Sequence, residues 1–162
     1  MVAIVNVSSD WGIGAGGDML VNISADLKRF KALTEGKTVI MGRNTLVSLP
    51  GSKPLKNRRN IILTSRPNVL PEGCEGVDSI EALVERVKDI PDDDLCVIGG
   101  DTVYHQLLPY CHKAYITKTD ITMPAEKFFP NLDLMEDWKI VSESEVMEEK
   151  GLLFKYVDYE RI

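Results

Sequence analysis

This chain has little cysteine, histidine or tryptophan: three, two and two residues in 162. Cys74, Cys96 and Cys111 are odd in number and contain no CxxC pair, so they frame no disulfide scaffold and read as reduced thiols of a cytosolic protein. With two histidines beside them, no metal-ligand spacing arises. No apolar run reaches the length of a bilayer span. The run 1–7 is too short for one and lacks the basic flank of a signal peptide. An excess of positive charge is also missing, with 19 basic against 25 acidic residues and a net charge of -6. That argues against a protein that neutralises many phosphates of a nucleic acid, while leaving room for a small basic pocket around one phosphorylated cofactor. Repeats and low-complexity tracts are absent. The composition, 44% hydrophobic and 27% charged, fits one globular domain over residues 1–162 with a sizeable core.

Runs 2–7, 37–41, 60–64 and 95–98 are nearly continuous apolar stretches of strand length, the kind buried on both faces of a parallel sheet. Residues 113–119 read as a further strand, 138–145 as a half-exposed one, and 152–159 pairs back as a hairpin after a turn at Gly151. Helical patterns lie between them: 24–33, a short piece after Gly42, 79–88 with Ser79 as cap, and one running from Asp101 to a stop at Pro109. Segment 71–77 reads as loop or short strand, 91–94 as a polar loop, and 125–130 as a loop with aromatic anchors. The result is an α/β fold: a mixed, mostly parallel sheet of about eight strands with an antiparallel C-terminal hairpin and about four helices. Ligands of such sheets sit at the carboxyl ends of the strands.

The helix 24–33 carries the first chemical signal. Ser24 is a suitable cap, and Ile23, Leu27, Phe30 and Leu33 form an apolar stripe opposite Lys28, Arg29 and Lys31. Asp26 shares the apolar side. It either complements the helix dipole or places a carboxylate in an apolar cleft, where it could hold a cationic or amidine-like group. Four glycines in 10–18 predict a mobile loop over a pocket, or a plain surface loop. Gly12-x-Gly14-x-x-Gly17 matches a dinucleotide fingerprint in form only, because residues 18–22 separate it from the helix. Arg43 and Arg66 follow strand ends of the same type, which suggests two guanidiniums around a phosphate monoester; isolated arginines would instead be solvated. Gly99-Gly100 ends a strand and opens a helix, suited to a close pyrophosphate or to a tight turn.

In order along the chain, Gly12-Ile-Gly14, Ala25-Asp-Leu-Lys-Arg-Phe30, Val39-Ile-Met-Gly-Arg43-x-Thr45, Arg58-x-Asn60-Ile-Ile-Leu, Val97-Ile-Gly-Gly100 with Val103-Tyr104, Tyr115-Ile-Thr117 and Phe129-Pro130 together resemble dihydrofolate reductases over essentially the whole length. The resemblance implies NADPH-dependent reduction of 7,8-dihydrofolate to 5,6,7,8-tetrahydrofolate for one-carbon metabolism. It implies a cytoplasmic monomer that binds a small-molecule substrate and antifolate inhibitors, with no metal, nucleic acid or membrane.

Asp26 would hold the pterin at N3 and the 2-amino group, with Thr117 hydrogen-bonded behind it. Val5, Leu27, Phe30, Leu49 and Leu55 would wall the substrate, and Arg58 would pair with its glutamate α-carboxylate. Arg43, Ser65 and Arg66 would hold the cofactor 2′-phosphate, beside Gly42, Asn44 and Thr64. Thr45 and Thr102 would meet the pyrophosphate, next to Ile98, Gly99, Gly100, Asp101 and Val103. Ala3, Ile13, Gly14 and Tyr104 would border the nicotinamide, and a cis peptide is implied at Gly99-Gly100. The chain departs from the family pattern at Leu20-Val21 in place of Pro-Trp, Ser24 in place of Pro, Thr102 in place of Arg and Glu126 in place of Asp. Two other readings stand beside this one: a same-fold pyrimidine reductase of riboflavin synthesis, not expected to pair Asp26 with Arg58, and a non-catalytic NADPH-binding domain.

Overall fold

The computed structural model of the protein describes residues 1–15, 18–19 and 22–162. In chain order its first elements are strands β1 (Val2–Val7), β2 (Gly12–Ala15) and β3 (Asp18–Met19), helix α1 (Ser24–Thr34), strand β4 (Thr38–Gly42) and helix α2 (Arg43–Ser48). Strands β5 (Arg59–Leu63) and β6 (Cys74–Val77), helix α3 (Ile80–Val87), strand β7 (Leu95–Gly99) and helix α4 (Asp101–Leu107) follow. Strands β8 (Lys113–Thr119), β9 (Lys127–Phe128), β10 (Trp138–Glu143), β11 (Met147–Glu149) and β12 (Leu152–Arg161) complete the chain.

The main sheet runs β10-β12-β8-β1-β7-β4-β5-β6, with β11 paired to β12 off that path. Pairings from β8 through β1, β7, β4 and β5 to β6 are parallel; those of β12 with β8, β10 and β11 are antiparallel. The fold is thus the α/β sheet with an antiparallel hairpin that the pattern of runs predicts.

Strand side chains alternate between faces, so β1 feeds two cores. Ala3, Val5 and Val7 pack with Leu83 and Val87 of α3 and Val103, Tyr104 and Leu107 of α4. Val2 and Ile4 face the other way, with Val39, Met41 and Ile62, against Phe30 and Leu33 of α1 and Leu46 of α2. Burial on both faces explains the continuous apolar runs. Burial also pushes the Cys96 and Cys111 thiols up to about 11.

Local differences from the sequence reading have physical causes. Residues 12–15 form a strand rather than a loop: β2 pairs with β3 and with β9 in a small antiparallel sheet, which satisfies the glycine-rich backbone. Gly16, Gly17, Leu20 and Val21 lie outside the described residues. Ser24 is not the cap of α1 but its first residue; Ile23 occupies the cap position in extended conformation. The cap comes from β11 instead, where Glu149 accepts from the Ser24 and Ala25 N–H groups at 2.6 and 3.1 Å. Leu27, expected in the apolar stripe, is 48% exposed. Ser79 does cap α3, accepting from Ala82 N at 3.0 Å. Among the described residues no helix is long and apolar enough to cross a membrane, and no group of His, Cys, Asp or Glu could hold a metal ion.

Ile40 is wholly buried, whereas Ile140 on β10 is 44% exposed. Ile40→Ala should cost about 2–5 kcal/mol in urea unfolding, and Ile140→Ala no more than about 0.5 kcal/mol.

Candidate active site

Asp26 lies in the first turn of α1, half-buried against the sheet. Its Oδ1 accepts a hydrogen bond from Thr117 Oγ1 at 2.5 Å, and its Oδ2 accepts from Asn6 Nδ2 at 3.2 Å. Thr119 Oγ1 donates to Asn6 Oδ1 at 2.8 Å. The strand registers bring these groups together. Asn6 on β1 is the direct partner of Thr117 on β8, and Thr119 lies two residues further on the same face. Arg29, on the next residue positions of α1, pairs with Asp158 at 3.0 Å and stacks over the Tyr156 ring at 4.0 Å. Burial pushes the Tyr104 phenol up from its ordinary value, and the Asp26 charge adds to this. The phenol donates to the Ile4 carbonyl at 2.6 Å, under the same part of the sheet.

Arg58, just before β5, reaches the other end of α1. Its Nη1 donates to Thr34 Oγ1 at 3.1 Å, while Asn60, buried at the start of β5, ties down the 55–58 segment through Leu55 and the Arg58 carbonyl. Asp26 and Thr34 are eight residues apart, a rise of about 12 Å along the helix. Between these poles Phe30, Leu49 and Leu55 pack toward the face that also holds Ile4. A long ligand with a flat hydrogen-bonding end and an anionic end suits this cleft.

Val5, expected against the substrate, is a correction. Its side chain points to the opposite core beside Tyr104, and Ile4 takes the cleft-facing position; Ala3, expected near the nicotinamide, lies in the same core as Tyr104 and Ile13. A shift of one residue in a strand turns every side chain to the other face, so the sequence offers little protection against that error.

At the carboxyl ends of β4 and β7 a cavity of about 220 Å³ opens. Gly42, Arg43, Asn44 and Thr45 line it from one strand end, and Gly100, Asp101, Thr102 and Val103 from the other. The Gly99–Gly100 peptide is cis, as the resemblance implies, and Gly99 has φ +124°. A Cβ at Gly99 would stand 3.3 Å from both Thr45 Oγ1 and the Tyr104 ring, and one at Gly42 would stand 3.1 Å from Val103 Cγ2. Glycine is thus what lets the two strand ends and α4 close on one another. Arg43 donates to the Val69 carbonyl at 2.9 Å, reaching toward the segment after β5. Register places Gly42 beside Leu63, so Thr64 follows next to Arg43. Ser65 and Arg66 are exposed and lie outside the lining of this cavity. Ile98 faces the α1 side, and Ile13 packs on the α4 side. Gly14 accepts from Glu126 N at 2.8 Å, which ties β2 to the segment before β9. Cations, hydroxyls and a side-chain-free backbone fit a phosphorylated dinucleotide.

Three residues escaped the sequence reading. Lys127 and Gln106 line the cavity, and nothing in their neighbourhoods singles them out. Asn6 had a signal: it is the one polar residue in the run VAIVNV.

A mixed sheet with an acid-marked cleft on one face and a cationic, glycine-lined crevice at its carboxyl edge defines a small α/β reductase-type domain. The family model described as dihydrofolate reductase matches residues 1–161. The chain is 34% identical over 151 residues to dihydrofolate reductase of Bacillus subtilis, covering 92% of this chain and 87% of that one. It is 32% identical over 166 residues to dihydrofolate reductase of Mycobacterium tuberculosis, covering 99% and 98%. Among solved structures it resembles dihydrofolate reductase from Enterococcus faecalis complexed with NADP(H) and RAB-propyl, with a TM-score of 0.84, 32% identity, and 99% and 95% of the two chains covered. The chain belongs to the dihydrofolate reductase family. It is an oxidoreductase of that kind.

The cap from Glu149 has a pH signature. N–H donation from Ser24, with Ala25 adding to it, holds this carboxyl below its usual value. The contribution is therefore present above the ordinary carboxylate range and is lost as pH falls through the lowered value. Glu149→Gln should melt lower than the parent at pH 7, and the gap should narrow as pH falls through that lowered value, in thermal melts followed by circular dichroism.

Proposed function

We propose that Asp26 is the carboxylate through which this enzyme holds the pterin of 7,8-dihydrofolate during NADPH-dependent reduction to 5,6,7,8-tetrahydrofolate. One observation carries the reading: a half-buried carboxylate braced on both oxygens stands at one end of α1, and Arg58 stands at the other. A carboxylate has about four lone-pair sites. Thr117 and Asn6 occupy one on each oxygen, which leaves one on each for a pair of parallel N–H donors such as pterin N3 and the 2-amino group. Held this way, the ring has one orientation for attack. The negative charge of Asp26 also favours proton arrival at pterin N5, through water, because the carboxylate binds the far side of the ring. Ile4, Phe30, Leu49 and Leu55 supply apolar walls, with Leu27 at the open side. Arg58 takes the glutamate α-carboxylate in the two-pronged manner suited to a guanidinium.

NADPH, when bound, supplies the hydride that goes to pterin C6. Arg43, with Ser65 and Arg66 from the neighbouring strand end, would hold its 2′-phosphate. Thr45, Thr102 and the backbone from Gly99 to Asp101 would hold its diphosphate, and Lys127 lies on the same cavity wall. Ile13, Gly14 and Tyr104 would border the nicotinamide. Free thiols at Cys74, Cys96 and Cys111 fit a reducing compartment, the cytoplasm. Both sites are built from one chain, so a monomer suffices.

Consumption of NADPH with dihydrofolate, followed by absorbance, tests the activity. Asp26→Asn should keep the fold and NADPH binding while lowering kcat/KM at pH 7 by about 10²-fold or more; undiminished turnover would remove Asp26 from this role. Arg43→Ala and Arg66→Ala should each weaken NADPH by about 10- to 100-fold, from the loss of a charge-assisted hydrogen bond, and leave NADH nearly unaffected. Equal losses for the two cofactors would place the 2′-phosphate elsewhere.

A further inference from the structure

We propose that Asn6 is a positioning residue that sets the plane of the Asp26 carboxylate for the substrate heterocycle. The inference rests on the reading of Asp26 given above and deepens it. Asn6 is a half-buried amide near the end of β1, and every other residue of that strand is apolar and buried, so its polar atoms need partners on the sheet. Asn6 meets its requirement with Thr119 on one side and Asp26 on the other. The orientation of the amide follows from charge. Turned over, its oxygen would face the Asp26 oxygen, acceptor against acceptor; with the NH2 group toward Asp26, the amide oxygen takes the Thr119 hydroxyl.

The two braces differ in what they fix. Thr117 alone would anchor Oδ1 and leave the carboxylate free to turn about a broad terminal torsion. Asn6, held by the adjacent strand, anchors Oδ2 as well. Because Asn6 and Thr117 are register partners on β1 and β8, the two donors are fixed by the sheet rather than by a loop. The carboxylate plane is thereby set before any ligand arrives, and the remaining lone pair on each oxygen faces a fixed direction.

Three other charged or titratable groups near the start of α1 are engaged elsewhere, and the Tyr156 phenol, pushed up by burial and by the Asp26 charge, lies under Arg29. The Tyr104 phenol donates to the Ile4 carbonyl, Arg29 pairs with Asp158 and stacks over Tyr156, and Glu149 caps α1. Asn6 is thus the neutral donor that acts on Asp26 from the β1 side.

The test is a double-mutant cycle in the full chain, with Asn6→Leu, a near match in volume without donors, and Asp26→Asn. Asn6→Leu should raise the dihydrofolate KM and lower kcat/KM by about tenfold, the size of one lost hydrogen bond to a charged group. It should leave the NADPH Kd within about twofold. Folate affinity measured by fluorescence should fall in parallel. In the Asp26→Asn background, Asn6→Leu should change nothing further, because its effect passes through the carboxylate. Thr119→Val, which removes the hydroxyl that orients the amide, should give a smaller effect of the same kind, and it serves as the test should Asn6→Leu not fold. Equal losses from Asn6→Leu with and without the Asp26 carboxylate, or an unchanged dihydrofolate KM, would overturn the proposal. Full activity of Asp26→Asn alone would instead overturn the reading of Asp26 on which it stands.

Discussion

A carboxylate beside an apolar sheet face is costly unless its lone pairs are met, and meeting them is what organises this molecule. Asp26 is carried by a helix, but both donors that reach it come from the sheet. The hydrogen bonds therefore do two things at once. They make the charge tolerable in that position, and they lock the first turn of α1 to β1 and β8. Arg29 paired with Asp158, and Glu149 at the helix start, fasten the same turn to β12 and β11. A short helix whose interior buries little is held chiefly by polar contacts at its beginning.

The second half of the site depends on topology. β7 enters the sheet between β1 and β4, although β4, β5 and β6 precede it in the chain. The return brings the carboxyl end of β7 alongside that of β4, so that Gly99-Gly100 and Gly42-Arg43 face a common crevice. Such a reversal of strand order is where open α/β sheets bind ligands. Glycine at both strand ends lets the backbones approach, and the cavity lined by Arg43, Thr45 and Thr102 is the consequence. β1 lies between β8 and β7, and its Ile4 offers its side chain to the core under α1 and its carbonyl to Tyr104 of α4.

Much of this was legible beforehand, for identifiable reasons. Strands buried on both faces announce themselves as continuous apolar runs, and the Ser79 cap announces α3. Asp26, Arg58 and the strand-end residues around Arg43 and Gly99 stand in motifs whose order resembles one family along the whole chain. The misreadings share a different character. Val5 reads as ligand-facing although its side chain faces the other core, because alternation says only that neighbours face opposite ways, not which way each faces. Ser24 looked like a cap, but the donors at the start of α1 are met by Glu149, 125 residues away in the chain. The glycine-rich stretch looked like a loop, yet β9 supplies partners for residues 12–15 from more than a hundred positions away.

The amino-acid sequence by itself determined the class of fold, the family and the principal charged residues, since these follow from local periodicity and from motifs contiguous in the chain. Only the tertiary structure decided which face of β1 turns toward α1, what caps α1, and that Asn6 grips the Asp26 carboxylate on the oxygen that Thr117 does not. Those are matters of strand register and of contacts between distant segments. A hydrogen bond between groups twenty or ninety positions apart leaves no periodic trace in either stretch, so it becomes visible only when the sheet has brought the two together.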